Sequence, residues 1–385
     1  MEGGNGYGNE KSQGSGFPSR DDERVAHRVK DLDASPQARE KIQGPGGLPL
    51  EAGRVRKILV IRNDNIGDVI CTTPALTALR RHFPTAHLAI LVASYGREAV
   101  DGNPDVDEVL VYTKHKHRAD ASRLAAWGDL ARLVACIRAR RYDVAVAMRA
   151  HFTGSLGWLA FLSGAPCRIG YAPPPGHPLR FTITHPVPLP TGPAHEVERC
   201  LCLVAPLGVQ ADSPALMLPR DGMAEMAARE RLRRQGAAPG APLVAFHVSS
   251  RRANRWPADR FAALADWAAG RGAGVVLVEA PGEADAVRAV AAQMTRAPII
   301  EPTRSLRELA ALLAQCRLCV CCDGGAMHVA AAVGTPTVAI FGAADPRRWA
   351  PWGRGHRVLC KGGRAEAVTV EEAQAAVAGV WNGGA

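Results

Sequence analysis

The sequence predicts an α/β protein in which parallel strands alternate with helices, with a doubly wound sheet in each half of the chain. Two observations predict this class. The 385 residues are enough for two domains with cores of their own. Short apolar runs end in polar or glycine-containing turns, helical patterns follow them, and this order recurs in both halves. Right-handed crossovers then place the helices on both faces of each sheet.

The chain is predicted to begin with a disordered tail over residues 1–54. Gly, Ser and mixed charges dominate there, and without apolar periodicity the segment cannot offset its ordering entropy. The first domain is placed at residues 55–215 and the second at residues 216–385. The boundary falls in a Pro-containing linker near residues 212–219, and a last helix at residues 369–380 closes the second domain.

The first ordered unit, residues 57–74, predicts the position of a catalytic group. Its apolar run 58–61 is typical of a strand buried on both faces of a parallel sheet, and a glycine turn and a helical pattern follow. Asp68 is therefore expected at the carboxyl edge of the sheet, where open α/β folds bind ligands. The turn lacks the other glycines of a dinucleotide fingerprint and has no Gly-Lys-Ser/Thr, which excludes Rossmann-cofactor and P-loop sites. The lone carboxylate of Asp68 is a candidate general base.

The remaining elements follow the same rhythm. In the first half we predict strands at 87–93, 106–112 and 143–148, helices at 95–101, 121–141 and 196–207, and an apolar helix after Ser155. Residues 172–193 are predicted to be a loop over the cleft. In the second half we predict strands at 243–248, 274–279, 318–322 and 336–341, with helices after each. Ser305 is predicted to cap the helix 305–313, with Glu308 completing a capping box.

Polar turns after two strands of the second half are candidate phosphate sites. Ser249 and Ser250 offer hydroxyls and N–H groups among three arginines, Arg251, Arg252 and Arg255. This suits a diphosphate, although a solvated arginine cluster has the same pattern. Gly324 and Gly325 allow a ligand to approach the backbone at a helix N-terminus. Asp323 before them and His328 after them complete this second group.

Three further candidates follow strand ends. Glu283 is suited to two ribose hydroxyls, or is a solvated first-turn glutamate favoured by the helix dipole. Arg149 and His151 follow the strand 143–148 and are candidate acceptor contacts. Asp105 and Asp107 are interpreted as turn residues and not as a metal site.

Composition restricts the partners. A formal charge of +10 and a pI of about 9.3 favour an anionic partner. Aromatic residues are only 5% of the chain, so nucleic acid is the least favoured partner. There is no apolar run long enough for a membrane span and no signal-peptide core, so a cytoplasmic protein is expected. Cys316, Cys319, Cys321 and Cys322 crowd one segment, and its apolar part 318–322 is interpreted as a buried strand in which reduced cysteines act as small hydrophobic residues, without a metal.

Four motifs resemble one enzyme family. They are Ile-Gly-Asp-Val followed by Thr-Thr-Pro at 66–74, Arg-Ile-Gly-Tyr at 168–171, Arg-Trp-Pro at 255–257, and Cys-Asp-Gly-Gly-Ala-Met-His through Ile-Phe-Gly at 322–342. Together they are similar to glycosyltransferase family 9, the ADP-heptose:lipopolysaccharide heptosyltransferases and their relatives. The resemblance covers about residues 56–355.

The resemblance implies a GT-B fold, with two Rossmann-like domains facing a cleft and the acceptor bound on the first. It implies that Asp68 is the base of an inverting, metal-independent transfer. It also implies that Ser249, Ser250 and the loop from Asp323 through Ala326 to His328 hold the donor diphosphate. Asn254 departs from the family, which carries lysine there, and Arg251 is our first choice for the missing charge.

The implied partners are a nucleotide sugar, with ADP-heptose favoured, and an anionic lipid-linked glycan, with no cofactor required. The implied location is cytoplasmic, with peripheral contact at the inner membrane. The basic groups available for that contact are Lys114, Lys116, Arg118, Arg138, Arg140 and Arg141. The alternatives are a nucleotide-sugar epimerase of the same fold, a non-catalytic nucleotide-sugar-binding protein and, more remotely, a nucleotide-cofactor oxidoreductase.

Overall fold

The structure is a computed structural model that describes residues 54–112, 123–210, 215–250 and 255–382. Those ranges contain two six-stranded sheets, and every strand pair in both is parallel. The predicted tail and the basic residues Lys114, Lys116 and Arg118 lie outside the described ranges. The domain boundary at 215/216 falls between the two sheets and stays a prediction.

The first sheet has the strand order β3-β2-β1-β4-β5-β6. Its strands are β1 (Lys57–Arg62), β2 (His87–Ala93), β3 (Glu108–Tyr112), β4 (Val144–Ala147), β5 (Cys167–Tyr171) and β6 (His185–Val187). Its helices are α1 (Ile66–Ile70), α2 (Thr73–His82), α3 (Arg123–Arg140), α4 (Gly154–Leu162) and α5 (Glu196–Val204). Short 3₁₀ turns occupy Ser94–Ala99, Arg180–Thr182 and Ala205–Leu207. The chain reverses its direction across the sheet between β1 and β4, which is the topological switch point.

The second sheet has the order β12-β11-β10-β7-β8-β9, with its switch point between β7 and β10. Its strands are β7 (Leu243–His247), β8 (Gly274–Glu279), β9 (Ile299–Pro302), β10 (Leu318–Cys322), β11 (Thr337–Phe341) and β12 (Arg357–Cys360). The helices are α6 (Gly222–Arg234), α7 (Ala258–Ala269), α8 (Ala284–Ala291), α9 (Leu306–Leu313), α10 (Gly325–Ala332), α11 (Pro346–Trp349) and α12 (Val370–Asn382).

Every strand that the sequence predicts is present, with ends that differ by one or two residues. Sequence reasoning missed four short strands and two helices, namely β5, β6, β9, β12, α6 and α11. The stretch 172–193, predicted as a loop, contains β6 and the Arg180–Thr182 turn. β6 has only three residues and contains a proline, which normally argues against a strand. α6 buries only Ala228 and Leu232, too little for a clear helical pattern.

Local contacts explain two of the predicted helix starts. Trp256, before α7, is buried, and its indole Nε1 donates to the carbonyl of Val368 at 2.9 Å. Ser305 caps α9, accepting the N–H of Glu308 at 3.1 Å. The Glu308 carboxylate accepts the N–H of Arg304 at 2.7 Å, so the capping box closes one residue earlier than predicted. None of the helices in the described ranges is long and apolar enough to cross a bilayer.

Candidate active site

Most of the predicted site residues collect at the switch points of the two sheets, whereas Glu283 follows the neighbouring strand β8. In the first sheet, Asp68 follows β1, and Arg149 and His151 follow β4. In the second sheet, Ser249 and Ser250 follow β7, and Asp323 follows β10. Parallel strands end at the same edge, so each switch point forms a crevice with polar groups from two neighbouring strands.

Asp68 is held by two hydrogen bonds in the first turn of α1. Its Oδ1 lies 2.7 Å from Nη2 of Arg62, and its Oδ2 accepts the N–H of Asn65 at 3.2 Å. Its side chain retains 14% of its exposure, so one side of the carboxylate is reachable. The prediction of a lone carboxylate is therefore wrong, because a guanidinium pairs with it.

Arg62, the last residue of β1, is the centre of an ion-pair network that sequence reasoning missed. Its guanidinium is fully buried and reaches Asp68, Glu196 at 2.8 Å and Asp64 at 3.5 Å. Its Nη1 also donates to the carbonyl of Met148 at 3.0 Å. Burial lowers the pKa of Arg62, but Cys200 and these three carboxylates together raise it above its usual value. Arg62 therefore remains charged.

Glu196 extends this network to the second half of the chain. Its Oε2 lies 3.0 Å from Nε and from Nη2 of Arg348 in α11, and its own side chain is fully buried. A second contact lies nearby, where Nε2 of His195 is 2.8 Å from the carbonyl of Ala350. The turn before α5 thus connects the first sheet's ion pairs to the loop after β11.

His328 lies against α1 of the first half. A Cβ placed on Gly67 would stand 2.6 Å from Cδ2 of His328, so only glycine leaves room for this ring. Nδ1 of His328 lies 3.6 Å from Sγ of Cys71. Burial, with a smaller effect of His195, lowers the pKa of His328 to about 4, against the opposing effect of Asp68. The ring is therefore neutral near pH 7, and its predicted role at the diphosphate stays a prediction.

The two candidate phosphate turns of the second half are joined by a hydrogen bond. The hydroxyl of Ser250 donates to the carbonyl of Asp323 at 2.9 Å. Nη2 of Arg255 donates to the carbonyl of Ser250 at 3.3 Å. The hydroxyl of Ser249 donates no hydrogen bond within the described ranges, so it is available to a ligand. Arg251, Arg252 and Asn254 lie outside those ranges.

The glycine pair lies at the start of α10, and the space beside it is open. Gly324 has extended backbone with φ of 166°, and Gly325 is the first residue of the helix. A Cβ at Gly325 would meet no atom within 4 Å, and one at Gly324 would meet only the carbonyl of Cys322 at 4.0 Å. Ala326 is buried behind them. Protein packing does not require glycine here, which is consistent with a requirement set by a ligand.

Of the two interpretations of Glu283, the structure does not support a solvated glutamate in the first turn of a helix. It lies at the N-cap position of α8, and its Oε2 is 3.3 Å from Nε2 of His247. That oxygen is buried, and the contact lacks hydrogen-bond geometry. A buried acceptor without a hydrogen bond is costly, which is consistent with a hydroxyl ligand. Its role at the ribose stays a prediction.

The two acceptor candidates lie beside the Arg62 network. Nη1 of Arg149 is 3.2 Å from Oδ1 of Asp64, which links it to Arg62 through a shared carboxylate. His151 is exposed, and its pKa is lowered by partial burial and then by Arg149 and Arg348. Their contact with an acceptor stays a prediction.

The residues whose types suggest a metal site have structural roles instead. Asp105 accepts the hydroxyl of Thr77 at 2.5 Å, and Asp107 pairs with Arg80 at 2.5 Å, so both are turn residues as predicted. Cys319, Cys321 and Cys322 are buried in β10, as the strand interpretation requires, and Cys316 before the strand is buried as well. Among the described residues no three His, Cys, Asp or Glu side chains form a group that could hold a metal ion.

Comparison with known proteins identifies the family. The family model described as "Glycosyltransferase family 9 (heptosyltransferase)" matches residues 130–376. The chain belongs to glycosyltransferase family 9. The matched range begins at residue 130, whereas the resemblance is predicted to begin at about residue 56. Asp68 lies before the matched range, so its assignment stays untested. Membership makes this family 9 chain a glycosyltransferase, in preference to the epimerase, binding-protein and oxidoreductase alternatives.

Relatives support the same identification of the family 9 enzyme. It is 28% identical over 295 residues to lipopolysaccharide heptosyltransferase 3 of Escherichia coli, covering 74% of this chain and 83% of that protein. It is 27% identical over 304 residues to lipopolysaccharide heptosyltransferase 1 of Pseudomonas aeruginosa, covering 77% and 82%.

Solved structures establish the GT-B fold of the family 9 enzyme. A family 9 glycosyltransferase from Veillonella parvula superposes with a TM-score of 0.76 at 24% identity, covering 85% of this chain and 97% of that one. E. coli ADP-heptose heptosyltransferase II superposes with a TM-score of 0.69 at 21% identity, covering 85% and 99%. The two doubly wound domains that the sequence predicts are therefore confirmed.

Proposed function

We propose that this glycosyltransferase transfers heptose from ADP-heptose to a lipopolysaccharide-core or related surface-glycan hydroxyl, with inversion at the anomeric carbon. Two kinds of relative support this donor and acceptor. Several similar proteins are lipopolysaccharide heptosyltransferases. A structure of E. coli heptosyltransferase WaaC with ADP-2-deoxy-2-fluoro heptose shares the fold, with a TM-score of 0.64 at 20% identity over 83% of this chain and 98% of that one.

The observation that carries the proposal is the contact between the Gly67–Asp68 turn and His328. Gly67 leaves room for the His328 ring, and Asp68 is the next residue. Gly324 and Gly325 begin the helix that carries His328. A carboxylate on the acceptor side and a phosphate-suited helix N-terminus on the donor side therefore lie at one junction of the two halves.

In this proposal Asp68 removes a proton from the acceptor hydroxyl while that oxygen attacks the anomeric carbon. The bond from this carbon to the diphosphate oxygen breaks in the same step, which inverts the configuration. Arg62 and the N–H of Asn65 hold the carboxylate in place. The N–H groups at the start of α10 and the arginines beside Ser250 stabilise the negative charge of the leaving ADP. The proposal includes no metal cofactor.

The acceptor in this proposal is an anionic, lipid-linked glycan, met at the cytoplasmic face of the inner membrane. Arg149 and His151 are its candidate contacts beside Asp68. Of the basic residues predicted to contact the membrane, Arg140 is already bound, because its Nε donates to Oε2 of Glu108 at 2.8 Å. Arg138 and Arg141 are exposed and remain candidates.

Product analysis tests this function. The enzyme is incubated with labelled ADP-heptose and a lipopolysaccharide core lacking heptose, with ADP-glucose, UDP-glucose and GDP-mannose as donor controls and EDTA in a parallel series. We expect a heptosylated core by mass spectrometry, inverted anomeric configuration by NMR and no loss of rate in EDTA. Release of free heptose or of an epimerised donor, without a glycoside product, would contradict the proposed transfer to an acceptor. A faster reaction with one of the control donors would show that ADP-heptose is not the preferred donor.

A further inference from the structure

Three aromatic rings stand exposed together on the first half of the enzyme. Trp158 and Phe161 on α4 keep 42% and 37% of their exposure, and Phe181 in the adjacent 3₁₀ turn keeps 48%. Their centroids are 5.2 to 5.8 Å apart, in edge-to-face pairs. We call these three residues the aromatic patch. Clustered exposed apolar groups of this kind mark interaction surfaces more often than single exposed residues do.

Arg168 holds the patch in place. Its guanidinium donates to the carbonyls of Thr182 and Ala165, both at 2.8 Å, and of Phe181 at 3.2 Å. The same group lies 5.6 Å from the ring centroid of Phe161. One cation therefore fixes the 3₁₀ turn against the end of α4, so the rings are presented in a defined arrangement.

The surroundings of the patch are basic. Residues 144–195 contain no Asp or Glu. Arg138, Arg141 and Arg180 are exposed, and within the described ranges none of the three pairs with a carboxylate. Arg138 reaches the carbonyl of Leu162, the last residue of α4, at 3.5 Å. Arg138 and Arg141 also line a pocket of about 260 Å³ with Ser163 and Gly164, directly after α4, and Asp143 is the one carboxylate in its lining.

We propose that the aromatic patch and these three arginines dock on the surface of an anionic phospholipid bilayer. Tryptophan and phenylalanine rings suit the headgroup level of a bilayer, and arginines suit lipid phosphates. The absence of carboxylates over residues 144–195 favours this occupant over an acidic or mixed-charge protein surface. Docking would hold the enzyme at the bilayer surface, where a lipid-linked acceptor is found. This purpose rests on the proposed function, whereas the docking itself does not.

Vesicle binding by the full chain tests the docking. Phosphatidylethanolamine vesicles containing phosphatidylglycerol are compared with phosphatidylcholine vesicles by co-sedimentation. The variant Trp158→Ser/Phe161→Ser/Phe181→Ser should bind the anionic vesicles at least about tenfold more weakly. The matched control Met223→Ser/Met226→Ser removes side chains that are 82% and 73% exposed on α6 and should bind like the parent. A second variant, Arg138→Gln/Arg141→Gln/Arg180→Gln, should lose most of the salt dependence.

Defined outcomes overturn the docking inference. The inference would be contradicted if the parent enzyme did not bind anionic vesicles at low salt. It would also be contradicted if the triple serine variant bound them as tightly as the parent. A patch variant that only changes the oligomeric state would assign the surface to a second copy of the chain. If the triple serine variant does not fold, the arginine variant alone decides. Vesicle binding needs no turnover, so absent sugar transfer would contradict the proposed function and leave this inference intact.

Discussion

The ring of His328 occupies the space where any other residue at position 67 would place its Cβ, at 2.6 Å from Cδ2. Gly67 and His328 are far apart in the sequence and belong to the two halves of the enzyme. Their contact brings the turn that carries Asp68 against the helix that starts with the glycine pair. The predictions below depend on this junction and on the ion pairs around it.

Gly67→Ala should destabilise the enzyme because the new methyl group overlaps the buried His328 ring. Overpacking of this kind typically costs about 1–3 kcal/mol, measured as a lower free energy of unfolding in urea. Gly325→Ala is the matched control, because a Cβ there meets nothing within 4 Å. Gly325→Ala should leave stability unchanged and weaken donor binding. Equal stability losses in both variants would contradict the packing argument.

His328 should make stability depend on pH. Its pKa is lowered to about 4 in the folded protein, against about 6.5 in an unfolded chain. Between these values the unfolded chain binds more protons, so stability is complete above about pH 6.5 and is lost as pH falls toward 4. The free energy of unfolding should fall by about 3 kcal/mol over this range. Urea unfolding at several pH values measures this loss.

The control for this pH dependence is a second histidine, which is partly buried. Burial also lowers the pKa of His356 to about 4, so it contributes a loss of the same sign. His328→Gln should flatten the pH dependence partly, and His328→Gln/His356→Gln should flatten it further. An unchanged slope in the double variant would show that other groups control acid sensitivity.

Arg62 and Arg348 should differ strongly in their effect on stability, although both pair with Glu196. Arg62→Met leaves buried carboxylates without their cation, and breaking such a pair typically costs about 3–5 kcal/mol. Arg348 retains 33% of its side-chain exposure, so water replaces part of its contact, and Arg348→Met should cost about 1 kcal/mol or less. Denaturant midpoints of the two variants measure the difference, and similar losses would refute the central position of Arg62.

Alanine substitutions at Ser249 and Ser250 should both weaken donor binding but differ in their effect on stability. The hydroxyl of Ser250 holds the carbonyl of Asp323, so Ser250→Ala should cost about 1 kcal/mol of stability and also weaken donor binding. Ser249→Ala should weaken donor binding by about tenfold and leave stability unchanged. Isothermal titration with ADP and thermal unfolding give the two readouts. Normal ADP affinity in Ser249→Ala would remove that residue from the donor site.

Sequence reasoning located the edges of the sheets better than the contacts between the two halves. Buried strands such as β1 and β10 carry continuous apolar runs, so their ends, and with them Asp68 and Asp323, follow from local pattern. The ion-pair network around Asp68 cannot be predicted from local pattern, because its members are distant in the sequence. Arg62 and Glu196 are 134 positions apart, and Arg348 and Glu196 are 152 apart. Such pairs depend on how the sheets meet, and no local periodicity encodes them.

The one feature of the sequence that could have predicted the ion pairs of Arg62 is its position at the end of a buried strand. A cation at the end of a strand buried on both faces has little access to water and needs anionic partners, because burying an unpaired charge is very costly. That argument predicts a buried ion pair after β1, but it does not say which carboxylates supply it.

Replacement of Asp68 by asparagine tests the central claim most directly. Asp68→Asn keeps the shape of the side chain and its place beside Arg62 but removes the base. We expect a folded variant that is modestly less stable, because the ion pair with Arg62 becomes a neutral hydrogen bond. Its donor dissociation constant should stay within about threefold of the parent, and its turnover should be lower by about 10² or more. Asp129→Asn on α3, where the carboxylate pairs with Arg132 at 3.0 Å, is the control and should keep full turnover. Turnover of Asp68→Asn close to that of the parent would contradict the assignment of Asp68 as the catalytic base.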